Sequence, residues 1–169
     1  MDYNEILKNL VKPIIAAATI ALLLFKIIFH VVVVHGTSME PSFYSGDILI
    51  LNHLTYEPDF GDIVVFKHGD RDILIKRIIG LPGDSLEIQD STVIRNGKAL
   101  EEDYIIDGVF GDGDMTGPVI VENGHIFVLG DNRPDSYDSR HSGVGQVADD
   151  DILGGVVFRL WNIGKERVV

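Results

Sequence analysis

The longest apolar run of the chain lies near its N-terminus, from Pro13 to Val34, and only Lys26 and His30 interrupt it. A helix needs about 20 apolar residues to cross the hydrocarbon core of a bilayer. The run therefore predicts a transmembrane helix from about Val11 to about Phe29, with Lys26 extending toward the outer interface. Four successive valines, Val31–Val34, favour a strand instead, because β-branched residues suit extended backbone.

Two other interpretations of the apolar run fit less well. A cleavable signal peptide has small residues after its apolar region, whereas Ala16–Ala18 lie inside this one. A buried core helix would have a polar face, and this run has none. Because Lys8 and Lys12 precede the span, the positive-inside rule places the N-terminus in the cytoplasm and the following domain outside.

From Phe43 onward the pattern changes to short apolar runs separated by glycine, proline, aspartate and asparagine. This spacing predicts strands joined by tight turns, and Asn96-Gly97 is a strong signal for a type I′ hairpin. We expect a mostly β chain, with coiled antiparallel sheets or a partly closed barrel, preceded by one N-terminal transmembrane helix. The predicted strands cover residues 31–34, 47–51, 62–66, 72–79, 85–89, 92–95, 98–100, 119–121, 125–129 and 152–161. The predicted domains are a cytoplasmic tail (1–10), the membrane helix (11–30) and an extracytoplasmic β-rich domain (31–169).

Composition narrows the possible functions. The formal net charge of −12 argues against nucleic acid as a partner, because phosphate binding normally requires a basic surface. The chain has no cysteine, which excludes disulfides, thiolate zinc sites and a cysteine nucleophile. The six histidines lack the spacing of a metal site, so we expect neither a metal nor a cofactor.

An acidic, glycine-rich segment extends from Glu101 to Pro118 and contains Asp112-Gly113-Asp114. A calcium loop would need further oxygen ligands at fixed spacing and a bidentate glutamate, which this segment lacks. We therefore expect a solvated surface loop.

The short polar turn Gly36–Ser42 follows the apolar run and places a hydroxyl, Ser38, close to the predicted membrane surface. Pro41 fixes its own φ angle and pushes Glu40 out of the helical region, so we expect a stiff, extended turn. A serine hydroxyl becomes a nucleophile only when a neighbouring base removes its proton. The function therefore depends on which residue supplies that base.

Lys76 is the best candidate for the base. It lies in the predicted strand 72–79, where alternation places it on the same face as Leu74 and Ile78. An amine among aliphatic groups loses hydration, which lowers its pKa toward the value that a general base needs. Arg77 cannot serve, because a guanidinium stays protonated in proteins.

A Ser-His-Asp triad can also be drawn from Ser38, Asp138 and either His35 or His141. His35 lies only three residues before Ser38, a separation on a strand that does not favour contact between the two side chains. We therefore prefer the lysine as the base.

Four segments resemble conserved boxes of the type I signal peptidases, which are membrane proteases with a serine/lysine dyad. The segments are Gly36–Pro41, Gly61–Phe66, Lys76–Asp84, and Gly130–Arg133 with Asp138–Arg140. One box alone would be weak evidence, but together, in the expected order, they extend the resemblance over nearly the whole chain. The resemblance is to the short form typical of Gram-positive bacteria. It implies the mostly β catalytic fold that signal peptidases share with self-cleaving repressors.

The resemblance implies roles for individual residues. Ser38 would be the nucleophile, and its backbone N–H would hold the developing oxyanion. Lys76 would be the general base that later protonates the leaving amine. Ser136 would hydrogen-bond the lysine nitrogen, while Asp138 and Arg140 would form a supporting ion pair.

The family prefers small residues at the first and third positions before the cut. Some relatives have a serine that helps to hold the oxyanion at the position of Gly36, and this chain has no hydroxyl there. The residues that match the lining of the substrate pockets are Met39, Phe43, Leu74 and Ile75.

The expected function is removal of N-terminal signal peptides from exported preproteins by a single-span membrane endopeptidase, without a cofactor. Its partners would be these preproteins and membrane lipid, and its catalytic domain would lie on the extracytoplasmic face. Two relatives of the fold offer alternatives. A signal-peptidase-like assembly factor would lack the dyad, whereas Ser38 and Lys76 are both present. A self-cleaving repressor would have an N-terminal DNA-binding domain in place of the apolar span.

Overall fold

The computed structural model describes residues 3–70, 72–105, 110, 113–115 and 117–160. Trp161, predicted as the end of the last strand, lies outside the described residues, as do Asp112 of the acidic segment and the first two residues of the predicted tail. The described residues form one α-helix, eleven strands and two short 3₁₀ helices.

Helix α1 spans Tyr3–Ile28 and begins before the predicted start at Val11, because good helix formers precede the apolar run. Within it, Leu10–Ile28 has a mean hydropathy of 2.1, and none of this segment is buried. By length and composition, such a helix can cross a membrane. Its exposure argues against the core-helix interpretation, because a core helix packs apolar side chains against the rest of its domain.

Strand β1 (Phe29–Val33) begins at the residue after the helix ends. Phe29–His30, predicted to end the membrane segment, therefore belong to the sheet. The reason is that β1 pairs along its whole length with β2 (Ile48–Asn52). The Ile28 carbonyl also accepts the N–H of His53 at 3.0 Å. Helix and sheet are thus joined without a linker.

The remaining strands complete two antiparallel sheets. They are β3 (Ile63–His68), β4 (Asp72–Gly80), β5 (Ser85–Gln89), β6 (Thr92–Arg95), β7 (Lys98–Ala99), β8 (Val119–Ile120), β9 (His125–Leu129), β10 (Val147–Ala148) and β11 (Ile152–Leu160). The large sheet has the order β1-β2-β11-β3-β4-β9-β10, and the small sheet has the order β7-β6-β5-β8. The predicted mostly β, antiparallel architecture is confirmed.

The large sheet stays open instead of closing into a barrel. Its end strands β1 and β10 do not pair with each other in the described part of the chain. Strand β9 pairs only with the second half of β4, from Arg77 to Gly80. Among the described residues, one edge of β1 and one edge of the first half of β4 are therefore left without a neighbouring strand.

Three clusters of buried apolar side chains form the core. The first cluster includes Met39 and Leu49 and lies beneath the turn that contains Ser38. Neighbouring residues of β4 then point to different clusters, as strand alternation requires. Ile78 belongs to the second cluster, whereas Ile79 packs with Leu86 in the third cluster and joins the two sheets.

The turn at Asn96-Gly97 has positive φ at both residues, 52° and 75°, as a type I′ turn requires. The predicted hairpin is confirmed, since Arg95 pairs with Lys98 across it. Asp90-Ser91 connects β5 to β6 with φ of 46° and 62°. The predicted strands 85–89 and 92–95 place this connection correctly, but its positive φ angles were not predicted, because it lacks the glycine that marks such turns in a sequence.

Two isoleucines test the division between core and surface. Ile126 in β9 is 0% exposed, whereas Ile120 in β8 is 66% exposed. We expect Ile126→Ala to lower the free energy of unfolding by about 2–5 kcal/mol, because it leaves a cavity in the core. Ile120→Ala should change it by less than about 0.5 kcal/mol. Urea unfolding of the detergent-solubilised protein measures both values, and equal losses would contradict this packing.

Candidate active site

Ser38 lies in a turn between β1 and β2. The Glu40 N–H donates to the Thr37 carbonyl at 3.0 Å, and the Phe43 N–H donates to the Met39 carbonyl at 2.8 Å. These bonds fold the segment back on itself, so a turn is present but the predicted extended conformation is wrong. Backbone hydrogen bonds across the segment account for the difference.

Lys76 Nζ donates a hydrogen bond to Ser38 Oγ at 2.7 Å. The lysine lies in the middle of β4, opposite Val64 of β3, and is only 2% exposed. The turn covers this part of the sheet, which brings two residues far apart in the sequence into direct contact. The predicted contact between the Ser38 hydroxyl and an amine that lies among aliphatic side chains is thus present in the structure.

The environment of Lys76 lowers its pKa from 10.5 to about 8. Burial is the largest cause, because a desolvated ammonium is less stable than a hydrated one. The positive charge of Arg140 lowers the pKa further, whereas the carboxylates of Asp138, Asp131 and Asp135 raise it. The amine can therefore lose its proton under mildly alkaline conditions.

Asp138 and Arg140 form a buried ion pair beside the lysine. The Arg140 Nε and Nη2 atoms donate to the two carboxylate oxygens at 2.8 and 2.9 Å. The carboxylate also accepts the Gly130 N–H at 3.0 Å. Burial by itself raises the pKa of Asp138, but the hydrogen bond and charge of Arg140 outweigh burial and lower it. The ion pair implied by the resemblance is formed, and it is buried.

Ser136 is placed differently from the prediction. Among the described residues its buried Oγ makes no hydrogen bond to Lys76. The hydroxyl lies near the Asp138 carboxylate and helps to lower the pKa of that group. It also packs against Gly130. A Cβ atom on Gly130 would lie 2.2 Å from Ser136 Oγ and 2.5 Å from the Ser38 carbonyl oxygen, so only glycine permits this approach.

The loop after β9 holds the Ser38 turn through backbone contacts. The Asn132 N–H donates to the Ser38 carbonyl at 3.0 Å, and its side-chain amide donates to the Thr37 carbonyl at 3.1 Å. The Thr37 hydroxyl in turn donates to Asp135 at 2.5 Å. Asn132 and Asp135 thus tie the loop after β9 to the turn that contains Ser38.

The sequence analysis did not identify several residues that lie near Ser38 and Lys76. Glu102 and Tyr104 were predicted to lie in a solvated loop, but their side chains are partly or largely buried. The prediction is wrong for these two residues. Glu102 forms an ion pair with Arg133, and the Arg77 guanidinium lies 3.9 Å from the Tyr104 ring centre. The sequence contains no local signal for such contacts, because acidic residues near glycines are typical of exposed loops.

A groove of about 260 Å³ lies beside Ser38 and Lys76. The end of β1, the Ser38 turn and the first half of β4 form its walls. Three of the predicted pocket residues, Met39, Leu74 and Ile75, line the groove. Phe43 does not line it, because the turn directs this side chain into the core cluster that also contains Met39.

The histidine alternative finds no support in the geometry. His35 lines the groove, but in the described residues neither His35 nor His141 makes a hydrogen bond to Ser38 Oγ. The His141 ring lies against Tyr137, with 4.8 Å between ring centres. Among the candidate bases, Lys76 is thus the residue that contacts the serine hydroxyl.

A family model described as signal peptidase, peptidase S26, matches residues 7–161. The chain belongs to this family. Signal peptidase I of Bacillus caldolyticus is 38% identical over 165 residues, which cover 88% of this chain and 88% of that protein. Signal peptidase I T of Bacillus subtilis (strain 168) is 39% identical over 168 residues, which cover 92% of this chain and 86% of that protein.

A solved signal peptidase I from Enterococcus faecalis V583 is similar in structure as well. It is 33% identical with a TM-score of 0.50, and the match covers 59% of this chain and 96% of that chain. The resemblance seen in the motifs and the enzyme class that it implied are confirmed. The matched residues include most of α1, so the helix lies within the region that the family model describes.

The pKa of Lys76 can be measured directly. NMR titration of the protein with ¹³C-labelled lysine side chains should show one amine with a midpoint of about 8. The signal should be absent from Lys76→Met, which assigns it. If every lysine in the wild type titrates near 10.5, the lysine is not desolvated as described.

The lowered pKa of Lys76 also predicts how the free energy of unfolding depends on pH. The unfolded chain holds this proton more tightly than the folded chain, so stability should rise with pH between about 8 and 10.5. Below that range the folded protein keeps a buried charge, which costs free energy. We therefore expect Lys76→Met to be at least as stable as the wild type at pH 7 and to lose this rise. Thermal unfolding across this pH range tests it, and a large loss of stability at pH 7 would contradict it.

Proposed function

We propose that this chain is a membrane-anchored serine endopeptidase that removes signal peptides from exported preproteins, with Ser38 as nucleophile and Lys76 as general base. The observation that supports this most strongly is the 2.7 Å contact between a buried amine and the serine hydroxyl. A non-catalytic assembly factor would have no need for this pair.

The reaction begins with transfer of the Ser38 proton to the neutral Lys76 amine, while Oγ attacks the scissile carbonyl carbon. The resulting oxyanion is stabilised by the Ser38 backbone N–H, which has no acceptor in the described part of the chain. The C–N bond then breaks, and the Lys76 ammonium returns its proton to the leaving amine. A water molecule, deprotonated by Lys76, hydrolyses the acyl-enzyme and restores Ser38.

The substrate binds as an extended segment in the groove. The free edges of β1 and of the first half of β4 offer backbone groups with which such a segment can pair. Met39, Leu74 and Ile75 provide apolar walls, which suit the small side chains that the family prefers before the cut. Side chains of an extended segment alternate, so the first and third residues before the cut enter the same groove.

Membrane anchoring is part of this function. The helix α1 leads directly into β1, and β1 leads to the Ser38 turn. Lys8 and Lys12 keep the N-terminus in the cytoplasm, so the β-rich domain faces outward. The signal peptide is itself held in the bilayer, and confining enzyme and substrate to one surface raises their effective concentration.

Cleavage of one preprotein in detergent tests the proposed roles. Ser38→Ala and Lys76→Ala should each lower kcat/KM by about 10³-fold or more, because the nucleophile or its base is lost. His141→Ala should stay close to the wild type. For the wild type, kcat/KM should rise with pH and level off above an apparent pKa of about 8, because only the neutral amine accepts the proton.

Circular dichroism confirms that each variant is folded. Full activity of Lys76→Ala, combined with loss of activity in His35→Ala or His141→Ala, would favour the triad instead. Full activity of Ser38→Ala would exclude the proposed nucleophile.

A further inference from the structure

Glu102 and Tyr104 lie on the connection that follows β7. In the described part of the chain, neither side chain makes a hydrogen bond or an ion pair to Ser38 or Lys76. We propose that these two residues position the turn that contains Ser38 (Gly36–Ser42). They act on one part of this turn through the loop after β9 and on its other end through β4. This inference depends on the proposed peptidase function, since its effect is on the rate of that reaction.

The first arm of this arrangement begins with the Glu102 carboxylate. It receives two hydrogen bonds from the Arg133 guanidinium, at 2.8 and 2.5 Å. The side chains are only 5% and 1% exposed, so the pair is shielded from water and is not a surface ion pair. The third donor, Arg133 Nε, binds the Gly130 carbonyl at 2.9 Å. Glu102 therefore fixes the backbone of the loop at Gly130.

The loop passes this restraint to Ser38. Gly130 lies so close to the Ser38 carbonyl that a Cβ atom would be 2.5 Å from it, and Asn132 donates its N–H to the same carbonyl at 3.0 Å. A displacement of the loop therefore displaces the nucleophile. Misplacement of a reacting group by about 1 Å is enough to slow a reaction about 10²-fold.

The second arm begins with Tyr104. Its hydroxyl donates to the Glu102 carboxylate at 2.6 Å, and its ring covers the Arg77 guanidinium at 3.9 Å. Arg77 is the residue after the proposed base, and it donates two hydrogen bonds to Asp131 at 2.8 and 2.7 Å. Asp131 accepts the hydroxyl of Ser42 at 2.5 Å.

The two arms therefore meet the turn at both of its ends. The first reaches the carbonyl of Ser38, and the second reaches Ser42 and the strand that supports Lys76. Neither arm contributes a side chain to the groove. Loss of Glu102 or Tyr104 should consequently lower kcat and leave KM nearly unchanged, because substrate contacts remain while the reacting atoms lose their alignment.

Steady-state cleavage of a preprotein by the full chain in detergent tests this inference. We expect Glu102→Gln and Tyr104→Leu to lower kcat about 10-fold or more, with KM within about 3-fold of the wild type. Tyr104→Phe keeps the ring over Arg77 and loses one hydroxyl, so it should recover part of the lost kcat. Glu101→Gln is the matched control, because the neighbouring glutamate is exposed.

Thermal unfolding shows whether each variant is native at the assay temperature. Folded variants with the kcat of the wild type, or with a change in KM alone, would overturn the positioning role. If Glu102→Gln unfolds, Tyr104→Leu decides the question, and the positioning role fails if this folded variant has the kcat of the wild type. A wild-type chain that cuts no preprotein would refute the proposed function itself, whereas an active wild type with unaffected variants would refute only this inference.

Discussion

Desolvation of the Lys76 amine, which is 2% exposed and 2.7 Å from Ser38 Oγ, is the interaction on which the rest of the site depends. A hydrated lysine stays protonated at neutral pH and accepts no proton, so the fold must exclude water from this amine. The open sheet achieves this by placing the lysine in the middle of β4 and covering it with the turn. Nearby carboxylates oppose the effect, and the pKa of about 8 is the resulting balance.

This interaction also explains why so many restraints surround the turn. A hydrogen bond between two side chains is useful for proton transfer only if both are held in place. Strand pairing holds Lys76, whereas the turn needs contacts from elsewhere, and the loop after β9 supplies them. That loop is held in turn by two buried ion pairs, Asp138 with Arg140 and Glu102 with Arg133. In these two pairs each buried charge has a partner, which avoids the large cost of an isolated one.

The sequence was sufficient for the features that local patterns encode. Alternation located most strands, and Asn96-Gly97 identified its hairpin, because both signals act over a few residues. The contact between Ser38 and Lys76 was anticipated from the polar turn, the aliphatic face of the strand and the boxes that their neighbours match. The position of Ser136 and the inward docking of Glu102 depend on how distant segments pack, and no local pattern reports that. The helix was predicted to end at about Phe29, close to its end at Ile28, but the first strand was predicted to begin at Val31 and begins at Phe29. Apolar residues suit both a membrane helix and the strand that follows, so the pattern does not separate them.

The absence of a linker between α1 and β1 has a geometric consequence. With about 3.3 Å of rise for each strand residue, the path along β1 sets the distance between the end of α1 and the turn that contains Ser38. A flexible linker would leave this distance variable, whereas the pairing of β1 with β2 fixes it. If α1 is the membrane anchor proposed above, a substrate would therefore be cut at one distance from its own membrane-held segment.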